Sequence, residues 1–267
     1  MLPKLDTLER WAYDYVVSTS LKHKLSPDRA PRESDQEFVG LRVDVPGRPG
    51  ELRVVSHARK APRKGALREP ARRAELLHTF LHHELQAAEL MCWAILAFPN
   101  APISFRRGLA QIAEDEVRHM ALYHAHIESL GYGVGEFQVR DWFWERIPNA
   151  ANEQEFVASI GIGLEGGNLD HTERFAKLFR EVGDEAGALI QETVGAEEVA
   201  HVRFALHWFE KFGVAPTFDA WLATLPAPMS PMTMRGDPLN VEARTRAGFT
   251  PHFLTELRAW KPAPPGS

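Results

Sequence analysis

A repeated tetrapeptide constrains this chain more than any other feature of its sequence. Glu116-Val117-Arg118-His119 is followed 82 residues later by Glu198-Val199-Ala200-His201. On an α-helix, residues i and i+3 lie on nearly the same face, so each copy directs a carboxylate and an imidazole toward one point. Both copies lie in apolar surroundings, which predicts that the two helices turn these faces inward.

Two further glutamates extend the repeat. Glu84 precedes Glu116 by 32 residues, and Glu165 precedes Glu198 by 33. Each half of the core therefore offers one glutamate followed by Glu-x-x-His. A single copy of the tetrapeptide is common on solvated helix faces, whereas two copies with matched glutamates predict a site.

Four long helical patterns carry these residues. They are predicted at about 71–97, 103–130, 153–182 and 185–212, and proline or glycine ends each of them. The connections are short, long and short. This order describes an all-α, ferritin-like four-helix bundle with one long crossover.

The two ends of the chain lie outside the bundle, so we predict regions 1–70, 71–213 and 214–267. The first should hold a helix at about 5–21 and a small β-hairpin between residues 37 and 57, where apolar residues alternate around a Pro/Gly turn. The proline-rich last region should wrap the bundle as a tail. Short helices are predicted there near 216–225 and 241–247.

Helix register brings the repeated side chains to one height. Glu84 and Glu116 lie about 14 residues on either side of the first connection, or roughly 21 Å from it. The predicted metal ligands are Glu84, Glu116, His119, Glu165, Glu198 and His201. Four buried carboxylates are costly to ionise alone, and two metal ions would balance their charge. An oxygen-rich set with one imidazole per ion suits iron, with manganese as the alternative, and the lack of thiolates disfavours structural zinc.

A second acid competes with each of the single glutamates. Glu89 lies five residues after Glu84, and Asp170 lies five residues after Glu165. We favour Glu84 because its height matches that of Glu116. Glu89 and Asp170 are then predicted to be polar groups behind the ligands or between helices.

Four glycines surround Glu165 in the third helical pattern: Gly161, Gly163, Gly166 and Gly167. Each costs about 1 kcal/mol relative to alanine inside a helix. Either neighbouring helices pack closely here, or the glycines leave room beside the metals or form a π-bulge. The sequence does not separate these interpretations.

Other residues are candidates for the walls of the site. Trp142 and Trp144 in the crossover either pack beneath it or line a substrate pocket. Met229, Met232 and Met234 either cover the site as a lid or belong to a tail that simply wraps the bundle.

Composition limits the partners. The net charge of −5 argues against a general polyanion-binding protein, although Arg59 to Arg73 holds seven Lys/Arg against Glu69 and stays open as a nucleic-acid contact. Cys92 is the only cysteine, so no internal disulfide forms and a cytoplasmic setting is expected. The N-terminus lacks the order of a signal peptide, and no apolar run is long enough for a membrane span.

The two tetrapeptides with their preceding acids, Asp115-Glu116 and Glu197-Glu198, resemble the helix signatures of di-iron carboxylate oxygenases. The resemblance implies that Asp115 and Glu197 steady ligand histidines through the second ring nitrogen. Most of the chain, including His82 to Ala87 and Asp141 to Trp144, is similar to a bacterial ferritin-like family of unknown function of the DUF455 type. That resemblance implies a fold and no particular substrate.

The expected function is a di-iron oxidoreductase that uses dioxygen to hydroxylate or oxidise a small organic molecule. Neither the substrate, the electron donor nor the oligomeric state follows from the sequence. Two alternatives stand beside it. An iron oxidation or storage protein would use the same ligands, but the long segments at both ends disfavour a plain cage; a tRNA-modifying hydroxylase would use Arg59 to Arg73 to bind phosphates.

Overall fold

The computed structural model describes residues 2–57 and 64–262 and is mostly helical, which confirms the all-α class. It divides into two compact units, Met1–Pro148 and Asn149–Ser267. Among the described residues, no helix has the length and apolarity needed to cross a membrane.

The first unit is built around two long helices that pack along each other. Its helices are α1 (Leu8–Val17), α2 (Leu21–Leu25), α3 (Pro70–Ala97) and α4 (Ile103–Ser129). α3 starts with Pro70, whose missing N–H costs nothing at the first helical position. Nearly every side chain in its second half is buried, because α1 and α4 both pack against it.

The predicted hairpin is wrong. β1 (Arg53–Val54) pairs in parallel with β2 (Gln138–Val139), so the small sheet joins the N-terminal segment to the crossover. The backbone before β1 forms hydrogen bonds with two helices instead. Leu41 N donates to Leu96 O of α3, and Gly47 N donates to Val16 O of α1. The segment before β1 is therefore attached to α1 and α3 through its backbone, and two of its alternating apolar residues, Val39 and Val45, are exposed.

The second unit also contains a pair of long helices. Its helices are α5 (Glu153–Phe156), a π-helical segment (Val157–Glu165), α6 (Gly166–Glu181), α7 (Glu185–Lys211), α8 (Phe218–Thr224), α9 (Val241–Ala247) and α10 (Pro251–Ala259). The third long pattern is thus not one regular α-helix, because its middle is π-helical. α8 and α9 lie within two residues of the predicted short helices, and α10 was not predicted.

The glycines permit close approach to the π-helical segment. A Cβ added to Gly161 would lie 2.4 Å from the Cβ of Ala205 on α7. One added to Gly163 would lie 2.6 Å from the sulfur of Met234, a buried residue of the C-terminal segment. Close packing and a π-helical backbone therefore occur together at this place.

Candidate metal centre

The long helices of the first unit bring one set of predicted ligands together. Glu84 of α3 and Glu116 and His119 of α4 each offer a ligand atom within 4.8 Å of the others. His119 Nδ1 lies 3.0 Å from Glu116 Oε2 and 3.9 Å from Glu84 Oε2. All three side chains are buried. We call these residues the first triad.

Burial and mutual repulsion set the charge of the first triad. Burial raises the pKa of Glu84 well above its ordinary value, and the Glu116 carboxylate raises it further. Burial lowers the pKa of His119, but the Glu116 and Glu84 carboxylates outweigh it and raise this pKa to about 12. The imidazole therefore holds a proton that balances buried negative charge. A bound divalent cation would take over that role and displace the proton.

The second unit contains a matching set. Glu165, the last residue of the π-helical segment, and Glu198 and His201 of α7 also place their ligand atoms within 4.8 Å of one another. His201 Nδ1 lies 3.0 Å from Glu198 Oε2, the same distance as in the first triad. All three side chains are buried. We call these residues the second triad.

One residue that contacts the second triad was missed by sequence reasoning. Asn168 donates from Nδ2 to Glu198 Oε1 at 3.0 Å. Its position three residues after Glu165, on nearly the same helix face, was the available signal. Asparagine is too common on helix surfaces for that spacing alone to single it out.

Glu89 lies in a buried ionic cluster. It accepts hydrogen bonds from Lys24 Nζ and Arg48 Nη1, each at 2.6 Å, and from Trp144 Nε1 at 2.8 Å. We call these four residues the Glu89 clamp. Its carboxylate is neutralised by cations of the N-terminal segment, and the clamp fixes Trp144 of the crossover by its indole N–H.

Asp170, the counterpart of Glu89, binds the C-terminal segment in a similar way. It accepts two hydrogen bonds from the Arg244 guanidinium and one each from the backbone N–H groups of Gly236 and Asn240. We call these residues the Asp170 clamp. In each half, the acid five residues after the single glutamate thus holds a terminal extension in place.

The acids that precede the tetrapeptides lie in different surroundings. Asp115 pairs with Arg118 and accepts a hydrogen bond from Gln111 Nε2 at 3.0 Å, both along its own helix. Glu197 is half-buried on α7. Their action on ligand histidines stays a prediction.

Trp142 packs within the crossover. The Arg146 guanidinium lies 4.1 Å from the centre of a Trp142 ring, and Phe143 meets the indole edge to face. These contacts give Trp142 a packing role of its own. The pocket predicted at Trp142 and Trp144 stays a prediction.

The basic stretch is described only in part. Arg59, Lys60 and Arg63 lie outside the described residues. Arg72 pairs with Glu75, and Arg73 Nη1 donates to the Leu67 carbonyl, so these two arginines stabilise the start of α3.

Comparison with known proteins gives a family match. A family model described as "Protein of unknown function (DUF455)" matches residues 4–255, a span that includes both triads and both clamps. An "Uncharacterized protein" of Haemophilus influenzae is 29% identical over 191 residues, which cover 68% of this chain and 66% of that relative, just under two thirds. No solved structure matches the chain significantly.

Proposed function

We propose that this chain, which belongs to the DUF455 family of proteins of unknown function, binds two iron or manganese ions and uses them with dioxygen to oxidise or hydroxylate an organic substrate. The observation that carries the proposal is the duplication. Each compact unit buries one glutamate beside a Glu-x-x-His pair, with the three ligand atoms within 4.8 Å of one another.

The donor set fits these metals. Each triad offers two carboxylates and one imidazole, a combination that suits iron and manganese better than thiolate-seeking metals. Cys92, the only cysteine, belongs to neither triad. The raised pKa of His119 marks a place where positive charge is needed. A divalent cation would supply that charge more fully than one proton does.

The proposal includes a ferritin-like arrangement, in which two helix pairs of this kind supply one dinuclear centre. Its support is the order of residues along the chain, with Glu84 32 residues before Glu116 and Glu165 33 residues before Glu198. When bound, such metals supply redox chemistry with dioxygen. The glutamates would hold the ions and neutralise their charge, and the histidines would bind them through neutral imidazole nitrogens.

Metal content tests the proposal. The purified full-length protein is stripped with a chelator, reloaded anaerobically with Fe²⁺ or with Mn²⁺, and analysed by mass spectrometry of the metal. We expect two ions per chain, a loss of one ion in His119→Ala or His201→Ala, and full loading in His78→Gln, a buried histidine outside both triads. Only trace metal in the reloaded wild type would refute the proposal.

Oxygen chemistry is tested separately on the loaded protein. We expect the Fe²⁺-loaded protein to consume dioxygen faster than free Fe²⁺ at the same concentration, and both triad variants to lose this excess. Two bound ions without dioxygen consumption would keep the metal site and reject the oxidase. A large hollow assembly that accumulates many ferric ions per chain would replace the proposed function with iron storage.

A further inference from the structure

The glutamate of each Glu-x-x-His pair has one oxygen with the same contact in both triads, and in the second triad its other oxygen contacts Asn168. In each Glu-x-x-His pair, Oε2 of the glutamate lies 3.0 Å from Nδ1 of the histidine. Oε1 of Glu198 accepts a hydrogen bond from Asn168 Nδ2 at 3.0 Å. Glu198 is thus held at both oxygens by neighbours that are themselves fixed on α6 and α7.

The first triad has no asparagine at the equivalent place. The residue three positions after Glu84 is Ala87, and the next is Ala88; both are buried. A methyl group donates no hydrogen bond, so neither alanine can bind the Glu116 carboxylate as Asn168 binds Glu198. The asparagine that follows Glu165 by three residues therefore has no counterpart at the same spacing after Glu84.

We propose that Asn168 is a positioning residue that fixes the Glu198 carboxylate and makes the second triad the tighter of two unequal metal sites, an inference that rests on the proposed metal site. The amide is neutral, so its effect comes from orientation and not from added charge. Glu198 loses rotational freedom before the ion arrives, and less entropy is lost on binding. Hydrogen-bond partners of metal ligands typically affect affinity by 10–100-fold.

Removing the donor tests the inference. Metal-stripped full-length protein is titrated with Mn²⁺, with free ion followed by its electron paramagnetic resonance (EPR) signal and heat by calorimetry. We expect the wild type to bind two ions with unequal affinity. Asn168→Ala should weaken the tighter step by about 10–100-fold and the other step by less.

A control separates positioning from a general loss of structure. Asn152 caps α5 by accepting a hydrogen bond from Glu155 N at 2.9 Å and belongs to neither triad. Asn152→Ala should lower the thermal midpoint without changing either Mn²⁺ affinity. The EPR spectrum of the bound Mn²⁺ should change in Asn168→Ala and stay as in the wild type in Asn152→Ala.

The outcomes separate the two proposals. Two ions bound by the wild type, with both affinities and the bound Mn²⁺ spectrum unchanged in Asn168→Ala, would overturn the role of Asn168 alone. Equal weakening of both steps would also overturn it, because the inference assigns Asn168 a larger effect on the tighter step. A wild type that takes up no Mn²⁺ after reloading would overturn the proposed function and this inference together.

Discussion

Arg244 donates from Nε to Asp170 Oδ1 at 2.9 Å and from Nη2 to Asp170 Oδ2 at 2.7 Å, and both side chains are buried. This two-point contact matches the planar guanidinium to the carboxylate. The backbone N–H groups of Gly236 and Asn240 complete the shell of the acid. One aspartate of α6 thus binds the C-terminal segment at three residues, Gly236, Asn240 and Arg244.

Breaking the Asp170–Arg244 pair should be costly. Arg244→Ala leaves a buried carboxylate without its cation, so we expect a loss of about 3–5 kcal/mol in the free energy of unfolding. Urea titration followed by circular dichroism measures it. Arg180→Ala is the control, because Arg180 pairs with Glu185 and Glu192 on the surface, where water screens the charges, and its loss should lower stability far less. Equal losses in the two variants would contradict the expectation.

Glu84 and Glu89 should respond in opposite ways to loss of their charge. Glu89→Gln removes the carboxylate that faces Lys24 and Arg48, so we expect a loss of several kcal/mol in stability with metal binding retained. Glu84→Gln removes a buried acid whose pKa is already raised, and should abolish binding of one ion with little loss of stability. The metal content and the urea midpoint of each variant show which glutamate is the metal ligand and which one stabilises the fold. Loss of metal in Glu89→Gln alone would make Glu89 the ligand.

A methyl group should not fit at Gly161. Gly161→Ala places a Cβ 2.4 Å from the Cβ of Ala205, and overpacking of this kind costs about 1–3 kcal/mol. Since alanine favours a helix by about 1 kcal/mol over glycine, a net loss of stability would show that packing dominates. Gly50→Ala, with open space around the added Cβ, should change stability by less than about 0.5 kcal/mol. The double variant Gly161→Ala/Ala205→Gly should recover most of the loss.

His78 should make the first unit sensitive to acid. Burial lowers its pKa to about 4, the charges of His82 and Arg53 add to this, and its Nε2 accepts a hydrogen bond from Gly135 N at 2.7 Å. The unfolded chain, with an ordinary histidine pKa near 6.5, binds this proton more readily. Stability from this group is therefore complete above about pH 6.5 and declines as the pH falls toward 4, by up to about 3 kcal/mol.

The matched variant for this effect is His78→Gln, which keeps an acceptor for Gly135 N and has no proton to gain. We expect urea midpoints to fall less steeply between pH 6.5 and 4 in the variant than in the wild type. Parallel curves over this range would exclude His78 as the cause.

The long helices were predictable because proline and glycine mark their ends. Pro70 opens α3, and Gly183 separates α6 from α7. The missed helix α10 carries the same kind of signal, since Thr250 caps it and Pro251 is its first residue. The many prolines of the tail also favour irregular chain, and this hides the helix start at Pro251. The hairpin prediction is wrong for another reason, because period-two alternation does not reveal which part of the chain the backbone N–H and C=O groups bond to.

The candidate site was predictable to the level of residue type and spacing. At 3.6 residues per turn, positions five apart point about 140° away from each other, so Glu84 and Glu89 face different neighbours. Spacing alone does not show which of the two glutamates faces another ligand, such as Glu116, and which faces a cation, such as Lys24 or Arg48. Those cations lie far away along the chain, and only the folded structure shows where they meet Glu89.

The clamps also have a consequence for how such chains diverge. A buried acid and the extension that neutralises it are of use only together, so a gene that loses its C-terminal segment should soon replace Asp170 with an apolar residue. The same holds for Glu89 and the segment that carries Lys24 and Arg48. Among related sequences, we therefore expect each acid and its extension to be inherited as a pair, independently of the six residues of the triads.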